Sequence, residues 1–203
     1  MGVWEAIAAA LGSSGMGIWE AIAVALGLAY LVLAVRQQLA CWYAAFVSSG
    51  IFLVLFWNVG LLMESALYTY YVFMAIYGFL QWRTGPNNSS QRPISRWRPL
   101  QHVLAIAAVL LLSVGSGWWL AANTSANLPF VDSFTTWGAV LTTWMVARKI
   151  LENWLYWLVI DAVSIYLYLD RELYLTAALF VVYILIAVFG FRQWLQSYRQ
   201  KYN

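Results

Sequence analysis

The chain has 203 residues, of which 64% are hydrophobic and only 9% charged. Soluble domains run nearer about 45–50% and about 25%, so a water-soluble fold is excluded in favour of a membrane protein. Eleven Lys and Arg against eight acids give a net charge of +3, which points to no nucleic-acid partner. One cysteine, Cys41, and one histidine, His102, leave no intramolecular disulfide and almost nothing for a Cys/His metal site or a His-based triad.

In chain order, residues 1–15 come first: MGVWEAIAAALG at 1–12 returns as MGIWEAIAVALG at 16–27. The first copy is too short to span a bilayer and lacks the basic flank of a signal peptide, so it reads as a duplicated or alternatively started leader, or an interfacial segment. Seven apolar stretches follow, predicted as transmembrane helices: Met16 to Val35, Leu39 to Val59, Met63 to Trp82, Leu100 to Ala122, Ser133 to Ala147, Ile150 to Leu169 and Leu173 to Trp194. The fifth is the weakest. Arg83 to Pro99 holds Gly85, Pro86, Asn87, Asn88, Ser89, Ser90 and Pro93 and reads as a basic loop with little to bury. Asn123 to Asp132 is too polar for lipid, with Asp132 placed to cap the fifth helix. Ser113, Gly115, Ser116 and Gly117 suggest close helix packing, Trp118 and Trp119 an interfacial anchor, and His102 an interfacial residue.

Loops after spans one, three, five and seven carry ten of the eleven cations, among them Arg36, Arg83, Arg148, Lys149 and Arg199. The positive-inside bias therefore puts the carboxyl terminus, residues 195–203, in the cytoplasm and the amino terminus outside. Offsetting the chain by 112 residues aligns Arg36–Trp82 with Arg148–Trp194 at fourteen identical positions, including Trp42/Trp154, Gly78/Gly190 and Trp82/Trp194. The expected architecture is thus all-α: a three-helix repeat over 16–82, a linker helix over 100–122 and a second, parallel repeat over 133–194. Membrane folds with such repeats are typically transporters, with a substrate site near mid-membrane.

On the sixth span Asn153, Trp157, Asp161, Ser164 and Tyr168 fall at steps of four, four, three and four, on one helix face, with Trp154 beside them. A carboxylate in mid-membrane costs about 2.5–3.5 kcal/mol on insertion scales, so Asp161 should face protein and hold a partner. It is either an interhelical tether or part of a wet binding site. Asn153 and the two indoles favour the site, because stacked rings hold a flat ligand while an amide and a carboxylate orient it. The equivalent first-repeat positions, Cys41, Ala45, Ser49, Phe52 and Phe56, are smaller or apolar, so a single ligand site is expected. Gln81 and Tyr68 are candidates for completing it from the third span. An enzyme is not expected: Asp161 and Glu64 are the acids well inside the spans, with Glu152 at a boundary, and no nucleophile and base pair is legible. Nor is a cofactor called for, and there is no P-loop.

Residues 19–42, 71–82, 147–168 and 173–194 together resemble the PnuC family of bacterial nicotinamide riboside transporters, most specifically at Glu152, Asn153, Trp154, Trp157 and Asp161. The resemblance implies a SWEET-like arrangement of three plus one plus three helices, a homotrimer in the inner membrane, and facilitated diffusion of nicotinamide riboside. It also implies nicotinamide recognition by the face already singled out. Tyr43 and Tyr68 depart from the family's usual Pro and Gln, which leaves thiamine or another ring-containing vitamin as an alternative cargo. A non-transporting membrane receptor or assembly subunit is the alternative from another class.

Overall fold

The structure is a computed structural model that describes residues 15–58, 62–84, 92–124, 128–170 and 172–202. The expected leader, Gly15 apart, lies outside the described residues, as does 85–91 of the basic loop. Among the described residues there are seven helices: α1 Gly15–Val35, α2 Cys41–Asn58, α3 Leu62–Arg83, α4 Pro99–Asn123, α5 Pro129–Ala147, α6 Asn153–Asp170 and α7 Tyr174–Tyr202. Four of them, α1, α2, α4 and α7, are long and apolar enough to cross a bilayer by themselves. The others hold polar side chains that packing removes from lipid: Thr135, Thr142 and Thr143 on α5 and Asn153, Asp161 and Ser164 on α6 are buried. Large apolar side chains instead point outward, Leu111, Val103 and Leu104 of α4 among them, the arrangement of a multi-pass membrane protein.

The chain divides into two units, Met1–Leu80 and Gln81–Asn203. In the first, α1 packs on α2, and Ser48 donates from Oγ to the Ala23 carbonyl at 2.7 Å. Glycine lets α3 close on α2, because a Cβ on Gly78 would lie 2.3 Å from the Trp42 ring. In the second, α4 packs on α5, α5 on α6 and α6 on α7. A Cβ on Gly117 would meet Phe130 at 2.6 Å, so the expected close packing holds there and at buried Ser113, whereas Gly115 faces open space.

Both corners 112 residues apart are built alike. Gln37 and Lys149 take left-handed φ of 56° and 50°. Gln37 N donates to Ala34 O and Gln38 N to Leu33 O; Lys149 N donates to Val146 O and Ile150 N to Met145 O. This is the Schellman arrangement that satisfies the last carbonyls of a helix. The tryptophan and glycine pairing also recurs, since a Cβ on Gly190 would lie 2.7 Å from the Trp154 ring, as one on Gly78 would crowd Trp42.

Three expectations need correction. Helix α5 begins at Pro129 with no side-chain cap, because proline at the first helical position has no N–H to satisfy, and Asp132 sits inside the first turn. The residues expected as a tail continue α7 to Tyr202. The basic loop is not free of burial: Ile94 is buried, and 92–97 straps onto the α5–α6 corner. Ser95 N donates to Lys149 O at 2.9 Å and Leu151 N to Ser95 O at 2.8 Å, Arg92 Nε donates to Arg148 O, and Arg96 pairs with Glu152 at 2.9 Å. That hydrogen bond and the charge of Glu152 hold the Arg96 guanidinium above its usual pKa.

Candidate functional site

Helix α6 starts where the corner ends, and its first residue is Asn153, which is fully buried. Asn153 Nδ2 donates to the Ile150 carbonyl at 2.6 Å, which ties the side chain down and leaves Oδ1 buried with no partner. Next to it, Trp154 is 2% exposed, and its Nε1 is likewise buried without an acceptor. One amide acceptor and one indole donor therefore stand unpaired at consecutive residues. A buried polar atom left unpaired costs about 1–3 kcal/mol, which marks both as places where a ligand group has something to gain.

The Trp154 ring itself is committed to protein. One face lies against Gly190, and the Trp194 ring meets it edge-on at 5.4 Å. Trp194 in turn contacts Trp82 at 5.9 Å, and the buried Lys149 places Nζ 4.4 Å from the Trp82 ring centre. Trp82 Nε1 donates to Val146 O at 3.1 Å. These indoles hold the basic-loop ends of α3, α5, α6 and α7 together.

Trp157 is half-buried one turn on, and Asp161 is 3% exposed another turn on, about 12 Å along the axis from Asn153 at about 1.5 Å per residue. Asp161 lies within electrostatic reach of Tyr183 on α7. Tyr183 belongs to an aromatic ladder with Phe180 and Tyr168, at ring separations of 5.2 Å and 5.1 Å. Neither Phe180 nor Tyr183 is among the candidates that the sequence pattern offers. The signal for them was the repeat, in which Tyr183 matches Tyr71.

The remaining candidates, Gln81 and Tyr68, have contacts of their own. Gln81 accepts through Oε1 from Arg92 Nη1, so it anchors the strap of the basic loop. Tyr68 belongs to the first unit and packs against Phe52, Phe56 and Tyr71. A cavity of about 430 Å³ between α4, α5 and α6 is lined by Val109, Gly138, Leu155 and Ile160, with His102, Glu152 and Tyr156 at one end. None of the six candidate residues lines it. His102 does more than sit at an interface, since its Nδ1 lies 2.8 Å from the Tyr156 hydroxyl.

Residues 17–196 match the model of the nicotinamide mononucleotide transporter family. The nicotinamide riboside transporter PnuC of Escherichia coli (strain K12) is 22% identical over 194 residues, covering 83% of this chain and 81% of that protein. The riboflavin/roseoflavin transporter RibM of Streptomyces davaonensis is 27% identical over 171 residues, covering 82% and 79%. A crystal structure of the vitamin B3 transporter PnuC shares the fold, with a TM-score of 0.73, 18% identity and coverage of 97% of this chain and 88% of that one. Seven helices with apolar outer faces and a match over residues 17–196 lead to one assignment: the chain belongs to the nicotinamide mononucleotide transporter family.

Proposed function

We propose that the protein carries nicotinamide riboside passively across a bacterial inner membrane, binding it at the polar face of α6. The observation that carries this reading is the pair of unpaired buried atoms, Asn153 Oδ1 and Trp154 Nε1, on the helix that also buries Asp161. A carboxamide is the complement of that pair, since its NH2 donates to an amide oxygen and its carbonyl accepts from an indole N–H. Trp157 then stacks on the pyridine ring, and Trp154 acts through its N–H. The glycosylated ring is a pyridinium cation, which Asp161 attracts across a low-dielectric interior. The mononucleotide would add a phosphate dianion beside that carboxylate, so the riboside is the better cargo.

In this reading the two triplets are parallel repeats in a SWEET-like order around linker helix α4. The amino terminus is outside, the basic loop and carboxyl terminus are cytoplasmic, and the chain assembles as a homotrimer. Alternating access rocks the triplets, and consumption of the cargo inside maintains net uptake. A flavin cargo is the second reading, favoured by the similarity to RibM. Uptake of labelled nicotinamide riboside into proteoliposomes, with and without Trp157→Ala, tests the proposal. Uptake that stops with the substitution supports it, and uptake indifferent to both protein and substitution removes it.

A further inference from the structure

The cavity of about 430 Å³ between α4, α5 and α6 is apolar along its length and polar at one end. Helices α4 and α6 both pack on α5, which forms the floor with Gly138 and Leu141. Ile106 and Val109 make one wall, Leu155 and Val159 the other. Ile106, Leu155 and Val159 are 47%, 41% and 55% exposed, so the cavity is a groove that opens toward the bilayer. Its lining on α6, from Glu152 to Ile160, runs about 12 Å at about 1.5 Å per residue, within one leaflet of a hydrocarbon layer about 30 Å thick. At the polar end His102 and Tyr156 stack at 5.8 Å and share a hydrogen bond of 2.8 Å. Trp97 meets the His102 ring at 5.3 Å and the Trp144 ring at 6.0 Å, an aromatic cluster of the kind found at headgroup level. Two exposed arginines stand over this end. Arg96 is held there by Glu152, and Arg98 lies one turn before His102, whose N–H donates to the Arg98 carbonyl at 3.4 Å. Glu152 is satisfied, accepting from Arg96 Nε at 2.9 Å and from Trp97 N–H at 3.3 Å. Two guanidinium groups against one carboxylate leave this end positive.

We propose that this groove holds one acyl chain of an anionic phospholipid, whose phosphate sits on Arg96 and Arg98. A polar cargo finds no hydrogen-bond partner along walls of isoleucine, valine and leucine, so the lining fits an amphiphile, apolar along its length and charged at one end. A lipid chain is already the solvent at this face. Entering the groove costs it no transfer from water, and it supplies the van der Waals contacts that an unfilled cleft forgoes. Selection then falls to the head group. Basic sites at the ends of transmembrane helices hold anionic heads, at about fivefold in affinity for each arginine near the surface. A guanidinium also suits phosphate because it donates two parallel N–H bonds to it. None of the six cargo candidates lines the groove, so lipid and cargo occupy different sites.

Native mass spectrometry of the delipidated full chain in detergent tests this, with phosphatidylglycerol and phosphatidylcholine of identical chains added in turn. Phosphatidylglycerol should bind about fivefold or more tighter, and Arg98→Gln should remove most of that preference. Ile106→Trp, which puts an indole where the chain would lie, should weaken both lipids by about threefold or more. Glycerol phosphate should not compete. Equal binding of the two lipids overturns the proposal, and so does competition by glycerol phosphate, which would assign the arginines to a free phosphate. An Ile106→Trp protein that melts as a folded protein and keeps the wild-type lipid affinity overturns it as well. If that variant changes the oligomer mass and not the lipid affinity, the groove belongs to a second copy of the chain. Should Ile106→Trp not fold, Leu155→Trp on the opposite rim takes its place. Should neither fold, Arg98→Gln decides: an unchanged preference overturns the proposal, and a lost preference supports it.

Discussion

The contact between Gly190 and Trp154 makes a quantitative prediction about stability. A methyl group added at residue 190 would sit 2.7 Å from Cδ2 and Cε2 of the indole, against 3.4–4 Å for ordinary contact. The ring cannot yield easily, because Trp154 is 2% exposed and its neighbour Trp194 is fully buried. Overpacking of this kind costs about 1–3 kcal/mol. Exchanging glycine for alanine in a helix also gains about 0.8–1.0 kcal/mol, which masks part of the loss. Gly115→Ala provides the reference, since Gly115 has nothing within 4 Å of its would-be Cβ and collects the helix gain alone. The difference between the variants is therefore the overpacking cost, or about 2–12 °C in melting temperature for a chain of this size. Thermal unfolding in detergent measures it. Adding Trp154→Leu to Gly190→Ala should cost less than the two separate losses combined, because removing the indole relieves the clash that the single Gly190→Ala variant suffers. Equal melting of Gly190→Ala and Gly115→Ala would refute the reasoning, as would full additivity in the double variant.

Further outcomes follow from other parts of the molecule. Asp161→Asn should lower nicotinamide riboside binding more than binding of the uncharged, reduced riboside, measured side by side, because only the oxidised ring carries the charge that the carboxylate attracts. Arg96→Ala should lower stability by only about 0.2–1 kcal/mol, since Arg96 is 56% exposed, but it should speed protease cleavage within 92–98. Cys41 is fully buried and should resist a membrane-impermeant maleimide until the protein is denatured. With Cys41→Ser as background, Lys201→Cys should react only when reagent reaches the cytoplasmic face, and reaction from outside would reverse the proposed topology.

Much of the fold was legible because lipid imposes a simple pattern: a polar backbone must close its hydrogen bonds within helices, so each crossing shows as an apolar run. Helices α1, α3 and α4 begin and end within a residue of the expected limits. The start of α5 was misplaced because Asp132 looked like a cap, while the real signal was Pro129 after a left-handed Leu128. The strap of 92–97 over the α5–α6 corner was not legible, because its central hydrogen bonds join backbone atoms and leave no mark in side-chain identity. At the site, spacing placed Asn153, Trp157 and Asp161 on one face. Spacing could not tell that the ring of Trp154 is used against Gly190, which depends on how closely α7 approaches. The ring contacts of Phe180 with Tyr168 and Tyr183 are not legible either, because a phenylalanine in a membrane helix looks like any lipid contact until those distances are known.

The corner at Lys149 reverses a familiar order of preference among amino acids. A left-handed residue other than glycine costs about 1–2 kcal/mol, and at φ 50° Lys149 bears that cost while seating its buried ammonium 4.4 Å from the Trp82 ring centre. A desolvated contact of that kind is worth about 2 kcal/mol or more, so charge and strain roughly offset each other. Alanine there would forfeit the ammonium and keep the strain, whereas glycine would forfeit the ammonium and shed it. At the end of this helix glycine should therefore be the gentler replacement and alanine the harsher one, so an alanine scan read with ordinary helix scales would overstate the importance of the lysine side chain.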